Sequence, residues 1–240
     1  MIIFGRKHNI TKSPLFEGFK DYHSHILPGV DDGVRSLDES LEVLAYYEEL
    51  KIREVVLTPH VMVDCQSDTA LIEATYNKLK EAYHGPIELT LASEYMLDYK
   101  FMSHFQSGDI RLLEGSNLLV ETSYISAPAN LDGLLFEIAS SGITPVIAHP
   151  ERYQYMEQSD YHALKDSGCR FQLNLLSFSM LYGSSVPKTA IKLLESGMYD
   201  IMGSDLHSLR RFKIQLKEVN LSTKHIDKLL KIKEQNALKM

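Results

Sequence analysis

Short apolar runs alternate with helix-spaced apolar residues along most of this chain. The runs have the length and the β-branched content of buried strands, and we predict seven of them. The predicted strands span residues 19–23, 53–59, 87–92, 117–121, 143–148, 170–174 and 199–203. Because helical patterns lie between most of them, the strands are expected to run parallel with right-handed crossovers. The pattern therefore predicts an α/β fold, either a seven-stranded (β/α) barrel or near-closed sheet, or a doubly wound open sheet.

Capping residues mark where several of the helices should begin. Ser36 and Glu39 form a capping-box pattern in front of apolar residues at helical spacing. Asp68 and Asn130 precede two further helical stretches and are predicted N-caps. The tail from Ser222 is a basic amphipathic helix, whose apolar face we expect to pack on the domain rather than on a membrane.

Composition is that of an ordinary globular protein. Of the 240 residues, 44% are hydrophobic, and the formal charge of −7 argues against nucleic acid or an anionic membrane as a partner. Cys65 and Cys169 form no Cys-x-x-Cys motif, which fits a reducing cytoplasm. No apolar run reaches membrane-spanning length. We expect a flexible or loosely docked N-terminal arm over residues 1–18 and a single domain over residues 19–240.

Side chains that can bind a metal stand at the ends of the predicted strands. The candidate ligands are His23, His25, Asp32, His60, Glu94, Glu121, His149, Asp205 and His207. Carboxyl ends of parallel strands meet at one rim of a barrel or one edge of an open sheet, so these residues should converge. Imidazole and carboxylate without thiolate favour Mn²⁺, Fe or Zn²⁺ in an open catalytic site. Nine ligands are too many for one ion and suit two or three ions that share a carboxylate.

Four arginines lie near these candidates in the sequence. A guanidinium group binds phosphate through paired hydrogen bonds, so an arginine beside clustered metal ligands suggests a phosphate site. Arg152, in the His-Pro-Glu-Arg segment, is the one that we predict to bind substrate. The same role is open for Arg35, Arg210 and Arg211, although ordinary surface ion pairs would explain these three equally well.

Six motifs together resemble those of the polymerase-and-histidinol-phosphatase (PHP) superfamily. They read HSH at 23–25, DDG at 31–33, TPH at 58–60, SEY at 93–95, HPER at 149–152 and SDLH at 204–207. The longer strings HSHILPGVDDG, HPERY and SDLHS are most similar to the bacterial metal-dependent protein-tyrosine phosphatases encoded with capsule and exopolysaccharide genes. The resemblance covers residues 21–240 and implies a distorted seven-stranded (β/α) barrel with manganese at the rim of the strands.

The resemblance also implies how the ligands are shared among three ions. The first ion would take His23, His25, Glu94 and Asp205, the second Glu94, Glu121 and His149, and the third Asp32, His60 and His207. Arg152 matches a phosphate-contacting arginine of the subgroup. With Asp205 and His207 it makes up the catalytic set that the resemblance implies.

The activity implied is hydrolysis of phosphomonoesters, and most directly of phosphotyrosine in a protein. The expected substrate is the autophosphorylated tail of a bacterial tyrosine kinase that controls polysaccharide export. A metal-bridging hydroxide would attack phosphorus, and the phenolate leaves readily because its conjugate acid has a pKa of about 10. Three alternatives stay open: a histidinol-phosphate or other small-molecule phosphatase, a PHP-type nuclease, and a non-catalytic module that binds the kinase. The acidic chain argues against the nuclease, and the complete ligand set argues against the module.

Overall fold

The computed structural model describes residues 7–65 and 68–237 of the chain. The described strands are β1 Lys7–Asn9, β2 Lys20–Ser24, β3 Glu54–Leu57, β4 His60–Val61, β5 Glu88–Leu91, β6 Glu94–Met96, β7 Asn117–Glu121, β8 Thr144–Ala148, β9 Arg170–Asn174, β10 Ile201–Gly203 and β11 Asn220–Ser222. The described helices are α1 Leu37–Glu49, α2 Thr69–Ala82, α3 Phe101–Ser107, α4 Leu131–Ser140, α5 Gln158–Asp166, α6 Val186–Glu195, α7 Leu209–Glu218 and α8 Thr223–Ala237. Alternation of strand and helix confirms the predicted α/β class.

Parallel pairing forms one six-stranded and one three-stranded sheet. The first has the order β10-β9-β8-β7-β6-β4 and the second the order β2-β3-β5. The two sheets adjoin, because β3 runs almost directly into β4 and β5 into β6. On the other side, a parallel bridge joins Ser24 to Leu206, and the amide of Asp205 donates a 2.8 Å hydrogen bond to the carbonyl of His23. The parallel strands therefore curl around a common interior, with the helices outside.

The alternation of side chains along each strand decides which residues face that interior. In β7, Leu118 and Val120 belong to the main core, whereas Leu119 belongs to a small separate cluster inside the curled sheet. Glu121 stands two residues after Leu119 and so points to the same inner side. Because side chains alternate in this way, polar residues at the strand ends face the interior, next to the small apolar cluster.

Helix starts follow the predicted capping residues, with one difference in detail. The hydroxyl of Ser36 accepts a hydrogen bond from the amide of Glu39 at 3.2 Å, but the Glu39 carboxylate accepts from the amide of Arg35 rather than from Ser36. Asp68 caps α2 by accepting from the amide of Ala70 at 2.7 Å. Asn130 precedes α4, as predicted, but its side chain makes no capping hydrogen bond.

The expectation of a loosely docked arm is wrong for residues 7–18. Strand β1 pairs antiparallel with β11, and the side chains of Ile10, Leu15 and Phe16 are buried in the main core. Burial of three large apolar side chains ties this segment to the domain. Residues 1–6 of the predicted arm lie outside the described residues, and the boundary at residue 18 stays a prediction.

The tail helix α8 packs on the domain, as its amphipathic pattern predicts. Ile226, Leu229 and Ile232 are buried in the main core. Within residues 7–65 and 68–237, no helix has both the length and the apolar character needed to cross a bilayer.

Candidate metal centre

The nine candidate ligands converge at the carboxyl ends of the parallel strands. Each has a donor atom within 3.7 Å of a donor atom of another member of the set. His23, His25 and Glu94 are fully buried, whereas Asp32 is exposed at the mouth of the cluster. Residues far apart in the sequence thus form one cluster of imidazoles and carboxylates, whose roles as ligands remain proposals.

Four atoms form the tightest group. His23 Nε2 lies 3.0 Å from His25 Nε2, 3.1 Å from Glu94 Oε2 and 3.5 Å from Asp205 Oδ1. His25 Nε2 lies 3.3 Å from the same Glu94 oxygen and 3.4 Å from the same Asp205 oxygen. Donor atoms at about 2.1 Å around a tetrahedral ion lie about 3.4 Å apart. These are the four residues that the resemblance implies for the first ion.

A second group forms around the other oxygen of Glu94. Glu94 Oε1 lies 3.1 Å from His149 Nε2, which lies 3.7 Å from Glu121 Oε2. The carboxylate of Glu94 therefore faces the first group through Oε2 and the second through Oε1. A carboxylate in this position can bridge two ions.

A third group lies nearer the surface and is called the outer group, in contrast to the first two, which are the inner groups. Asp32 Oδ1 lies 3.5 Å from His60 Nε2 and 3.4 Å from His207 Nε2. The ring of His60 has a second contact that the sequence did not indicate. Its Nδ1 lies 3.0 Å from Glu94 Oε2 and 3.0 Å from Glu121 Oε1, so this imidazole lies between the outer group and the two inner carboxylates.

The donor atoms fit divalent ions. Glu94 Oε2 and Glu121 Oε1 are buried oxygens, and the side-chain nitrogens that lie within 3.3 Å of them belong to the imidazoles of His23, His25 and His60. Buried carboxylates need a positive charge close by, which either protonated imidazoles or divalent ions among these donor atoms can supply. Nitrogen and oxygen donors without thiolate suit Mn²⁺, Fe or Zn²⁺.

Backbone strain is concentrated at two of the candidate ligands. Three non-glycine residues in the described part of the chain have positive φ: Lys51 at 62°, His149 at 34° and Asp205 at 51°. Such conformations cost about 1–3 kcal/mol each and recur at functional sites. His149 and Asp205 thus keep a strained backbone at the point where their side chains enter the cluster.

Two residues for which the sequence predicted no role orient candidate ligands. Asp31 Oδ2 lies 2.8 Å from His25 Nδ1, which leaves His25 Nε2 to face the cluster. Gln172 Oε1 lies 2.9 Å from His23 Nδ1 in the same way. The sequence held a signal for Gln172, since it stands two residues before the strand end Asn174 and shares its face. Nothing in the sequence distinguished Asp31 from its neighbour Asp32.

The guanidinium group of Arg152 lies at the edge of the cluster, clamped between two aromatic rings. It stands 4.2 Å from the ring centroid of Tyr124 and 4.0 Å from that of Tyr182. Its Nη1 donates a 2.7 Å hydrogen bond to Asp205 Oδ2, which also accepts from Asn174 Nδ2 at 2.7 Å. Asp205 therefore directs Oδ1 at the imidazoles and Oδ2 at Arg152 and Asn174.

A cavity of about 230 Å³ opens beside Arg152. Its lining combines metal-ligand candidates with apolar and aromatic side chains: Asp32, His60, Tyr124, Arg152, Leu176, Leu181, Tyr182, Asp205, Leu206, His207, Ser208, Arg211 and Phe212. Of the other arginines named from the sequence, Arg211 lines the cavity. Arg35 and Arg210 are exposed and do not belong to its lining.

Charge is balanced within the cluster by opposite pKa shifts. Burial alone would lower the pKa of His23, but attraction to Glu94 and Asp205 leaves it raised. Burial alone would raise the pKa of Glu94, but attraction to His23 and to His60 leaves it well below its usual value. Without metal, protonated imidazoles thus neutralise the buried carboxylates.

Metal affinity is expected to rise with pH. In the metal-free protein the pKa values of His23 and His25 are raised above their usual 6.5, so their contribution to stability is present below that pH and is lost as the pH rises through the raised values. A divalent ion must displace those protons. We therefore expect Mn²⁺ to bind more tightly from about pH 6.5 upward and to release protons, as measured by calorimetry in buffers of different ionisation enthalpy.

The control for this titration is an exposed histidine of α5. Replacing His162 with Gln should leave proton release unchanged, because His162 lies outside the cluster. An affinity that stays constant between about pH 6 and pH 9 would contradict the picture of protonated imidazoles facing carboxylates.

Three comparisons with known proteins agree with one another. A family model described as capsular polysaccharide synthesis, CpsB/CapC, matches residues 19–238. The putative tyrosine-protein phosphatase CapC of Staphylococcus aureus is 27% identical over 206 residues, which cover 83% of this chain and 81% of the relative. The tyrosine-protein phosphatase CpsB of Streptococcus pneumoniae is 30% identical over 208 residues, covering 79% of this chain and 83% of the relative.

A solved structure has the same fold. It is described as one of YwqE from Bacillus subtilis and CpsB from Streptococcus pneumoniae, unique metal-dependent tyrosine phosphatases. The match has a TM-score of 0.73 at 23% identity and covers 90% of this chain and 87% of the other. The curled parallel sheet found here is therefore shared with that structure.

Proposed function

The chain belongs to the capsular polysaccharide synthesis CpsB/CapC family, and we propose that it is a manganese-dependent protein-tyrosine phosphatase. Relatives that match about four fifths of its length are named tyrosine-protein phosphatases. The observation that carries the proposal is the convergence of nine nitrogen- and oxygen-donor side chains beside a cavity that contains a clamped arginine. Such a site suits hydrolysis of a phosphate ester.

We propose that two or three ions are held by the ligand sets that the resemblance implies, with Glu94 as the bridge. Bound divalent ions generate a nucleophile from water at neutral pH and withdraw charge from phosphoryl oxygens. The contacts of Glu94 with His23 and with His149 support its bridging position. We also propose that the parallel strands act as one distorted seven-stranded barrel, which the bridge between Ser24 and Leu206 supports.

The proposed roles of the chain's own residues follow from their contacts. Arg152 is held flat between Tyr124 and Tyr182, so its planar donors are preorganised to stabilise charge on a phosphoryl group in the cavity. Asp205 anchors this arginine and at the same time faces the imidazoles. His207, in the outer group, would help to hold the ion nearest the solvent.

The shape and lining of the cavity favour an aromatic phosphate ester. Its volume of about 230 Å³ is below the ~300–1,000 Å³ typical of drug-sized ligands and suits a single ring. Leu176, Leu181 and the ring of Tyr182 provide apolar walls for such a ring. Arg211 is proposed as a second phosphate contact, whereas Arg35 and Arg210 would meet only parts of the substrate outside the cavity.

We propose that the substrate is the phosphorylated tail of a bacterial tyrosine kinase and that the protein works in the cytoplasm. The membership of a capsule-synthesis family supports a role in the control of polysaccharide export. A small-molecule phosphatase, a nuclease and a kinase-binding module are the outcomes against which this proposal is tested.

The deciding assay compares a phosphotyrosine peptide with histidinol phosphate in the presence of Mn²⁺. We expect turnover of the peptide, dependent on added Mn²⁺ and lowered at least about 10²-fold in His60→Ala, because His60 contacts both the outer group and the inner carboxylates. Turnover of histidinol phosphate alone would point to a small-molecule phosphatase. Absence of turnover of either substrate with metal bound would overturn both phosphatase functions and leave the nuclease and the binding module.

A further inference from the structure

Gln172 lies beneath the cluster and contacts two candidate ligands from different metal groups. The residue belongs to β9 and is fully buried. Its Oε1 lies 2.9 Å from His23 Nδ1 and 3.2 Å from the backbone nitrogen of His149. Its Nε2 donates a 2.6 Å hydrogen bond to the carbonyl of Leu173. The side chain supplies no ligand itself, and each of its polar atoms has a partner.

The backbone contact fixes which way round the amide must lie. A backbone N–H can only donate, so the atom of Gln172 that faces His149 must be the oxygen. That oxygen can only accept, so the Nδ1 of His23 must carry the proton of its hydrogen bond. The lone pair of His23 Nε2 is then left for a metal, in the direction of Glu94 and Asp205.

The same oxygen supports the strained backbone of His149. With φ at 34°, His149 lies in a conformation that an ordinary side chain rarely adopts. The hydrogen bond from its amide to Gln172 Oε1 helps to hold that conformation, which directs Nε2 at Glu94.

Close packing leaves Gln172 little freedom to move. A Cβ atom built at Gly203 of the neighbouring strand would come within 2.5 Å of His23 Cβ and 3.0 Å of Gln172 Nε2. Glycine at this position therefore lets β10 lie directly against the His23–Gln172 pair. The amide is a fixed part of the site.

We propose that Gln172 is a positioning residue that couples the two inner metal groups through one oxygen. It sets the tautomer of His23 in the first group and the backbone of His149 in the second. Glu94 contacts one member of each group, His23 and His149, on the side where the ions would bind. Gln172 contacts the same two residues on the opposite side, through His23 Nδ1 and the His149 amide. This inference rests on the proposed metal sites, but its test reads metal binding rather than phosphatase activity.

The test compares Gln172→Met with Gln172→Glu. Methionine has a similar length and no comparable acceptor, and removing a partner that orients a metal-binding histidine typically lowers affinity about 10- to 100-fold. We expect Gln172→Met to lower Mn²⁺ affinity by that factor, measured by calorimetry, and to change the visible absorption of the Co²⁺-substituted protein. Gln172→Glu keeps the accepting oxygen, and its carboxyl group, protonated in this fully buried position, can still donate to the carbonyl of Leu173, so this variant should bind Mn²⁺ within about threefold of the unaltered protein.

Ser40→Ala is the matched control for the loss of a buried hydrogen bond. Ser40 is fully buried, and its hydroxyl hydrogen-bonds to the carbonyls of Ile26 at 2.7 Å and of Ser36 at 3.2 Å, neither of which is a candidate ligand. We expect it to lower thermal stability without changing Mn²⁺ affinity. Unaltered affinity in Gln172→Met, or equal losses in Gln172→Met and Ser40→Ala, would overturn the proposal.

Gln172→Glu decides the matter if the methionine variant does not fold. A tenfold or larger loss of Mn²⁺ affinity in this folded variant would overturn the role of the accepting oxygen. Metal binding to the unaltered protein without phosphatase activity would instead count against the proposed function and leave the role of Gln172 intact.

Discussion

Glu94→Gln is expected to lower kcat/KM for a phosphotyrosine peptide at least about 10³-fold, equivalent to about 4 kcal/mol of transition-state stabilisation. Its two oxygens face two different groups, Oε2 toward His23 and Oε1 toward His149. An amide keeps the shape but loses the negative charge and one acceptor, so neither inner ion would be held well. Elemental analysis of the purified variant should show less bound Mn²⁺, together with the loss of turnover.

Glu151→Gln is the matched control, because Glu151 is a buried glutamate close to the cluster that is not a candidate ligand. Its oxygens accept hydrogen bonds from the amide of Asn174 and from the hydroxyl of Tyr199, both at 3.0 Å. Burial raises the pKa of Glu151, whereas the pKa of Glu94 is lowered well below its usual value. Replacing Glu151 with a neutral amide should therefore cost little activity, and equal losses in both variants would contradict a ligand role for Glu94.

The positions of the inner candidate ligands could be predicted because strand ends and side-chain parity are local properties of the sequence. The predicted ranges 117–121 and 170–174 coincide with β7 and β9. Parity along β7 puts Glu121 on the side of the interior cluster residue Leu119. A parallel α/β arrangement then brings such strand ends together whatever their separation in the sequence.

Contacts within the turn after His25 could not be derived in this way. Asp31 and Asp32 are adjacent acids in a turn, and only the path of the backbone decides that one orients His25 while the other reaches the outer group. Gly33 shows how tightly the turn folds back, since a Cβ atom there would come within 2.3 Å of the His25 carbonyl oxygen. Turn geometry of this kind depends on packing that a residue pattern does not record.

The docking of the N-terminal segment could not be predicted from the sequence for a related reason. The pairing of β1 with β11 joins residues that are more than 200 positions apart, such as His8 and Leu221. Neither three-residue strand has enough alternation to be recognised alone. The burial of Ile10 and Leu15 depends on this distant partner and on the helices nearby.

Arg152→Lys is expected to lower kcat/KM about 10²- to 10³-fold while bound Mn²⁺ stays unchanged. Lysine keeps the positive charge but lacks the planar group that lies between Tyr124 and Tyr182. The ammonium group of a lysine could pair with Asp205 or approach a phosphoryl group, but it is too compact to bind both at the same time. The loss should therefore appear mainly in kcat, because the arginine is proposed to act as charge moves onto the phosphoryl oxygens.

Arg111→Lys tests whether any buried arginine behaves in the same way. The Arg111 side chain is 12% exposed, against 13% for Arg152, and it also pairs with a carboxylate, that of Glu73 at 3.3 Å. It does not line the cavity, so this variant should keep its activity even if its stability falls. If Arg152→Lys instead loses Mn²⁺ along with activity, the main task of Arg152 is to hold Asp205 in place, and the proposed phosphate contact is wrong. Retained metal with lost turnover would place the arginine at the reacting phosphate, since Asp205 would then still be held by Asn174.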